Sequence, residues 1–261
     1  MADIYIIMGA RGSGRREVLL DLLNQPEAAA ENAPAALFLC DSEPPSACDE
    51  NLAVLPHVHR HQWRWDEDEP VMPATEIVDR CANTFIILDG AANPVDQIEA
   101  LCAWLQTTGH RIARVLTVVD CALLESSPGA LPWYEACIHF SDVVLLNRRE
   151  GVSNKWIKDY QEAFAKACFP CLFESVRKGR VANPARILYP EARRLSQIFD
   201  EEPEETVVES SAEDEDEEGE DEDPYLARKP GGFRRNPIPD IRDFLSRGDA
   251  NAGGSPGAGP R

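Results

Sequence analysis

The first residues whose spacing carries chemistry lie near the amino terminus. Gly9-Ala-Arg-Gly-Ser-Gly14 has the pattern G-x-x-x-x-G, between a short apolar run and a helix-like stretch. Glycines at this spacing let successive backbone N–H groups turn inward around a phosphate, and the start of a helix adds a favourable dipole. In phosphate-binding loops of this kind the next two positions hold a Lys that reaches the outer phosphates and a hydroxyl that ligates Mg²⁺. Here they are Arg15 and Arg16. Arg15 keeps the positive charge in a bulkier, forked form. Arg16 has no acceptor and cannot ligate a cation. The expectation is a phosphate site made by Gly9, Arg11, Gly12, Ser13, Gly14, Arg15 and Arg16, with two arginines able to neutralise phosphates without Mg²⁺.

Two further clusters have the residue types for chemistry. His57, His59 and His61 alternate within "LPHVHRHQWRW". On a strand, period 2 would place all three on one face, where imidazoles could ligate Zn²⁺. The same pattern also fits an exposed edge strand with one polar face. Cys168-Phe-Pro-Cys171 is a CxxC, but it closes a helix-like stretch rather than opening one, and it has half the thiolates of a structural zinc site, so packing is the expected role. His110 and His139 are isolated.

Elements able to position these residues alternate along residues 1–199. The runs "IYIIM", "AALFLC", "TFIILDG", "RVLTVVD" and "DVVLLN" are short and nearly all apolar, which suits strands buried on both faces of a parallel sheet. Between them, "GRREVLLDLLNQ" gathers Val18, Leu19, Leu22 and Leu23 on one helical face. "VDQIEALCAWLQTTG" ends in a glycine stop, and "SNKWIKDYQEAFAKACF" opens on a Ser153 cap. The predicted fold class is α/β, a doubly wound, mostly parallel sheet.

Charge divides the chain. Residues 200–223 hold 16 Asp and Glu and no Lys or Arg, whereas the whole chain has a formal net charge of −20. Such a block repels itself and buries little, so a disordered acidic tail is expected, running into a Pro- and Gly-rich end at 261. Within that tail, "NPIPDIRDFLSRG" at 236–248 could form a short helix at 239–247. Asp240 would cap it, and Ile241, Phe244 and Leu245 would be offered to an unknown protein partner. The globular part lacks the basic stripe that a nucleic-acid surface needs. No apolar stretch approaches the ~20 residues of a membrane helix. The eight cysteines sit largely in apolar runs and no signal peptide is evident, so a reducing cytoplasm is the expected location.

The loop at 9–14, "DGAANP" at 89–94, "VLTVVD" at 115–120, "SDVVLLNRRE" at 141–150 and "NPARIL" at 183–188 together resemble the CobW-type GTPases, the SIMIBI-class P-loop metallochaperone family, over roughly residues 3–190. The resemblance implies a P-loop NTPase fold that binds GTP or GDP with Mg²⁺, hydrolyses GTP slowly and handles metals such as Zn²⁺. It implies phosphate contacts from Gly9, Gly12, Gly14 and Arg15, and base contacts from Asn147 and Glu150, which stand where a guanine-specific GTPase has Asn-Lys-x-Asp. Three features depart from the family. Its Cys-x-Cys-Cys metal motif is missing. Ile87 stands at the acid position of its Glu-x-x-Gly, with Asp89 close enough to substitute. The Mg²⁺-binding hydroxyl is gone. Two functions therefore stay open: a CobW-like guanine-nucleotide-binding protein with weak or no hydrolysis and a link to metal handling, or a non-catalytic pseudo-GTPase that recruits a partner through its tail.

Overall fold

The apolar runs pair into one eight-stranded sheet. A computed structural model describes residues 1–24, 34–200 and 223–245. The elements are β1 (Asp3–Met8), α1 (Arg15–Leu23), β2 (Ala35–Cys40), α2 (Asp49–Ala53), β3 (Val58–Trp63), α3 (Thr75–Val78), β4 (Asn83–Ile87), α4 (Pro94–Thr108), β5 (Arg111–Asp120), α5 (Cys121–Ser126), α6 (Leu131–His139), β6 (Val143–Asn147), α7 (Asn154–Lys166), β7 (Leu172–Arg177), β8 (Arg180–Val181) and α8 (Pro184–Leu188). The sheet order is β3-β2-β4-β1-β5-β6-β7-β8. Every pairing is parallel except the last, β7 with β8.

Strand alternation splits the apolar residues between two cores. Ile4, Ile6 and Met8 of β1 and Val144 and Leu146 of β6 face Ile98 and Leu101 of α4 and Tyr160 of α7. Tyr5, Ile7, Val143 and Leu145 face the other way, onto Val18, Leu19 and Leu22 of α1. Helices on both faces are why these strands read as continuous apolar runs. The caps act where expected. Ser153 Oγ accepts from Trp156 N at 3.1 Å to start α7, and Gly109, with φ 68°, ends α4.

This order creates a switch point. The chain leaves β1 through α1 on one face and leaves β4 through α4 on the opposite face, although β1 and β4 are neighbours. The crevice between the two loops at their carboxyl ends is where open α/β sheets bind ligands.

At the sheet's other end a buried ion pair fastens the chain that follows α8. Asp142 is fully buried and holds Arg194 at 3.2 Å. Its carboxylate also accepts from Val115 N at 2.7 Å and Arg193 N at 2.6 Å. Arg114, buried in β5, donates to the carbonyls of Tyr189 and Glu191.

Residues 223–245 pack back on the domain. Asp223 accepts from His139 Nε2 at 2.8 Å, Tyr225 lies against the rings of His139 and Phe140, and Arg234 grips Asp96 and Glu99 of α4. Asp240 caps a single 3₁₀ turn, Ile241–Asp243. Ile241 is buried, and the Phe244 ring lies against Gly129. The side chains expected to face a partner are thus used within the chain, and the expected helix at 239–247 is reduced to this turn in its described part. The acidic run at 201–222 lies outside the described residues.

Replacing Asp142 by Ala leaves buried Arg194 with only the half-exposed Asp200 as counter-charge and leaves Val115 N and Arg193 N without their acceptor. A loss of about 3–5 kcal/mol is expected, measurable by urea unfolding. Burial opposes ionisation of Asp223, but hydrogen bonds from His139 and Ser196 outweigh it and hold its carboxyl below the usual range. The stability it contributes is present above the unfolded value of about 3.9 and disappears as pH falls through the lower folded value. Asp223→Asn should therefore melt below wild type at neutral pH, and the two melting temperatures should converge below about pH 3.

Candidate functional site

Only backbone that tolerates positive φ makes the turn after β1. Gly9, Gly12 and Gly14 have φ of 137°, 81° and 89°, values that residues with a Cβ rarely adopt. Space is also tight. A Cβ on Gly9 would strike the Val118 carbonyl, and one on Gly14 would strike the Asn147 side-chain nitrogen. Helix α1 starts directly after Gly14.

The turn after β4 closes against this loop. Arg11 N donates to Gly90 O at 3.1 Å. Gln97 in α4 fixes the turn from behind, accepting from Asp89 N at 2.8 Å and donating to Asp89 O at 3.0 Å. A Cβ on Gly90 would lie 2.6 Å from both Arg11 N and Gly9 O.

The loop's three arginines fold inward, each onto a carboxylate. Arg11 reaches Asp89 Oδ1 at 2.9 Å. The other Asp89 oxygen accepts from Ser42 Oγ at 2.7 Å, and Ala91 N also donates to Oδ1. Arg15 runs across the loop to donate to Leu88 O and to Glu43 Oε1, the latter at 2.7 Å. Side chains of Arg15 and Glu43 are only 4% and 6% exposed. Arg16 turns the other way, to Asp49 at 3.0 Å and to Pro44 O at 2.8 Å. Asp89, proposed from sequence as a substitute for a missing acid, is thus engaged on both oxygens.

Asn147, the last residue of β6, donates from its side-chain nitrogen to Ser13 O at 2.8 Å, joining the segment expected to read a base to the phosphate loop. Arg148, with φ 50°, donates to Gly12 O at 3.2 Å and to Glu17 at 3.0 Å. Two small cavities meet at this Arg148–Glu17 pair. One, of about 160 Å³, is bordered by Gly12, Gly14, Arg15, Arg16 and Glu43. The other, of about 150 Å³, is bordered by Asn147, Glu150, Lys178 and Gly179. The expected phosphate residues and base residues are therefore brought together on one side of the switch point.

The three histidines do not gather at one point. β3 begins at Val58, so His57 lies in the preceding turn, and its Nε2 is 3.2 Å from Leu23 O. His61 lies on the opposite side of the sheet from α1, against the Phe38 ring, with its pKa lowered first by burial and then by His59. Among the described residues no three His, Cys, Asp or Glu side chains converge to hold a metal. Both CxxC thiols are free: Cys171 is buried, which pushes its pKa up to about 12, as packing requires, whereas Cys168 is exposed. Mg²⁺ does not fit the loop either, because the hydroxyl that would ligate it is replaced by the Arg16 cation.

Several site residues carry no sequence signal: Glu43, Ser42 and Asp49 lie in the Pro-rich loop and helix after β2, and Glu17 faces Arg148 from α1. Their only mark is a concentration of acids between Asp41 and Glu50, which does not say which carboxylate enters the loop.

Fold and loop together define a P-loop NTPase-type α/β domain. Among solved structures, the chain is similar to the Zn(II)-bound YjiA GTPase from E. coli, at 12% identity and a TM-score of 0.50, over 72% of this chain and 61% of that one. A Zn(II)-bound triple mutant of the YjiA GTPase matches equally, at 12% identity and 0.50, over 73% of this chain and 62% of that one. The chain thus spans about three fifths of the YjiA chain. No family model and no curated protein matches the sequence. No helix among the described residues is long and apolar enough to cross a membrane.

Gly90→Ala forces backbone against backbone. It should cost about 1–3 kcal/mol, read as a lower melting temperature with faster amide exchange at Arg11.

Proposed function

We propose that the chain is a CobW-like P-loop protein that binds guanine nucleotide without Mg²⁺ and hydrolyses it slowly or not at all. The observation that carries this reading is the Asn147–Ser13 hydrogen bond, 2.8 Å long, which sets Glu150 and the small cavity beside it next to the glycine loop. In that cavity Glu150 offers a carboxylate to the N–H groups of a guanine edge, a chemistry that adenine cannot match. Weak hydrolysis follows from two features. Arg16 replaces the metal-ligating hydroxyl, and Asp89 is held by Arg11, Ser42 and Ala91 rather than left to orient water.

Zn²⁺ handling has less support. It rests on the family resemblance and on the Zn(II) of the YjiA structures, while His57 turns to Leu23, away from the side of the sheet where His61 meets Phe38. A second reading, a pseudo-GTPase that acts only by recruiting a partner, is favoured by one observation: Arg11, Arg15 and Arg16 all meet carboxylates of their own chain, leaving the loop little charge for a ligand.

Calorimetric titration with a non-hydrolysable GTP analogue and its ATP counterpart separates the readings. Guanine-selective binding that persists in EDTA is expected. Binding abolished by EDTA would contradict the metal-free site, and no binding at millimolar nucleotide would favour the pseudo-GTPase. Glu150→Ala should cost the guanine ligand about 1.5–3 kcal/mol and the adenine ligand much less; equal losses would remove the base-reading role.

A further inference from the structure

We propose that the Glu43 carboxylate occupies the seat of a nucleotide's terminal phosphate, so that this site takes a nucleoside diphosphate in preference to a triphosphate. The proposal rests on the nucleotide reading above and names the ligand class within it.

In a phosphate loop of this spacing, the residue after the last glycine reaches the outer phosphates, and the terminal phosphate orders the loops that flank it. Here both tasks fall to one carboxylate oxygen. Glu43 Oε1 accepts from Arg15 Nη2 at 2.7 Å and from Gly90 N at 2.7 Å. Arg11 Nε stands 3.7 Å away, too far for a hydrogen bond but close enough for charge. The phosphate loop contributes two of these groups and the turn after β4 the third, and their common target is an anion. That anion belongs to the chain.

The metal's place is filled in the same way. Arg16 stands where the Mg²⁺-ligating hydroxyl would be, and its guanidinium meets Asp49 and the Pro44 carbonyl, which are oxygen acceptors suited to a cation. Residues 43–49 are therefore drawn onto the loop by an internal anion and an internal cation together.

On the Asn147 side of the loop, the open space fits a shorter ligand. The cavity of about 160 Å³ beside Gly12 and Gly14 has Arg15, Arg16 and Arg148 on its wall and Glu43 as well. It adjoins the cavity of Asn147 and Glu150 through Arg148 and Glu17. A base in the second cavity and two phosphates in the first would meet arginines and the loop's N–H groups. A third phosphate would meet Glu43, a like charge shielded from water. The loop also keeps polar atoms unspent: Ser13, fully buried, has a hydroxyl without a hydrogen-bond partner, turned toward Gly9.

The test is calorimetric titration of the full chain in EDTA with GDP, a non-hydrolysable GTP analogue and inorganic tripolyphosphate, comparing wild type with Glu43→Gln and Glu43→Ala. Wild type should bind GDP about tenfold or more tighter than the GTP analogue. Both variants should narrow that ratio to about threefold or less and should gain affinity for tripolyphosphate. Circular dichroism checks their folding. If Glu43→Ala melts early because Arg15 is left buried without a counter-charge, tripolyphosphate should raise its melting temperature and leave that of wild type unmoved. Equal wild-type affinity for GDP and the GTP analogue would overturn the seat while leaving the nucleotide reading intact. Tripolyphosphate binding gained by the variants, with neither GDP nor the GTP analogue bound by any form, would do the reverse. Variants that fold, keep the wild-type nucleotide ratio and ignore tripolyphosphate would also overturn the seat.

Discussion

A buried carboxylate survives only when its charge is met, and Glu43 is met from two directions. Arg15 approaches from the first turn of α1 and Gly90 N from the turn after β4. These elements lie on opposite faces of the sheet, and their loops come together only because β1 and β4 are neighbours. The contact therefore couples the segment after β2 to both sides of the switch point. Removing the charge of Arg15 or of Glu43 leaves the other buried without its closest counter-charge, a larger cost than losing one surface ion pair. The site's geometry follows from this mutual dependence.

Charge balance extends the same logic. Arg11, Arg15 and Arg16 are matched by Asp89, Glu43 and Asp49. A loop of this kind ordinarily presents surplus positive potential to its ligand. Here the cations are largely satisfied at home, and what remains for an anion is the backbone of Gly12 to Gly14, the α1 start and the half-exposed Arg148. Discrimination between ligands then depends on which internal carboxylate a ligand must face, rather than on total charge.

Five of the strands were legible in sequence because burial on both faces writes an uninterrupted apolar run. β3 writes no apolar run, since it is an edge strand whose middle residues are His59, Arg60, His61 and Gln62, and it was legible only as one of two readings of the alternating histidines; β8, at two residues, is too short to leave a pattern. Gly9, Gly12 and Gly14 were legible for a backbone reason, as their φ values demand glycine. Glu43 was not, because its partner Arg15 lies 28 residues away and local spacing cannot select one acid among Asp41, Glu43, Asp49 and Glu50. The histidines misled for a related reason. Alternation predicts a shared face only within a strand, and β3 starts one residue after His57. The 236–245 segment was legible as an amphipathic piece, but its amphipathicity does not reveal whether the surface it meets belongs to another molecule or to its own domain, where Ile241 is buried and Phe244 lies against Gly129.

The central position of β1 sets the order in which this molecule can be assembled. β1 precedes the other strands of this sheet in the chain, yet both of its neighbours, Asn83–Ile87 and Arg111–Asp120, are made much later. Sequence separations of this size make for slow, non-local folding. Until β4 and the turn after it are in place, Arg15 lacks the Leu88 carbonyl and Arg11 lacks the Gly90 carbonyl and the Asp89 carboxylate, so the glycine loop matures only after about half of the domain has been synthesised. A nascent chain thus carries its glycine-loop sequence for a long interval before the turn that the loop packs against exists.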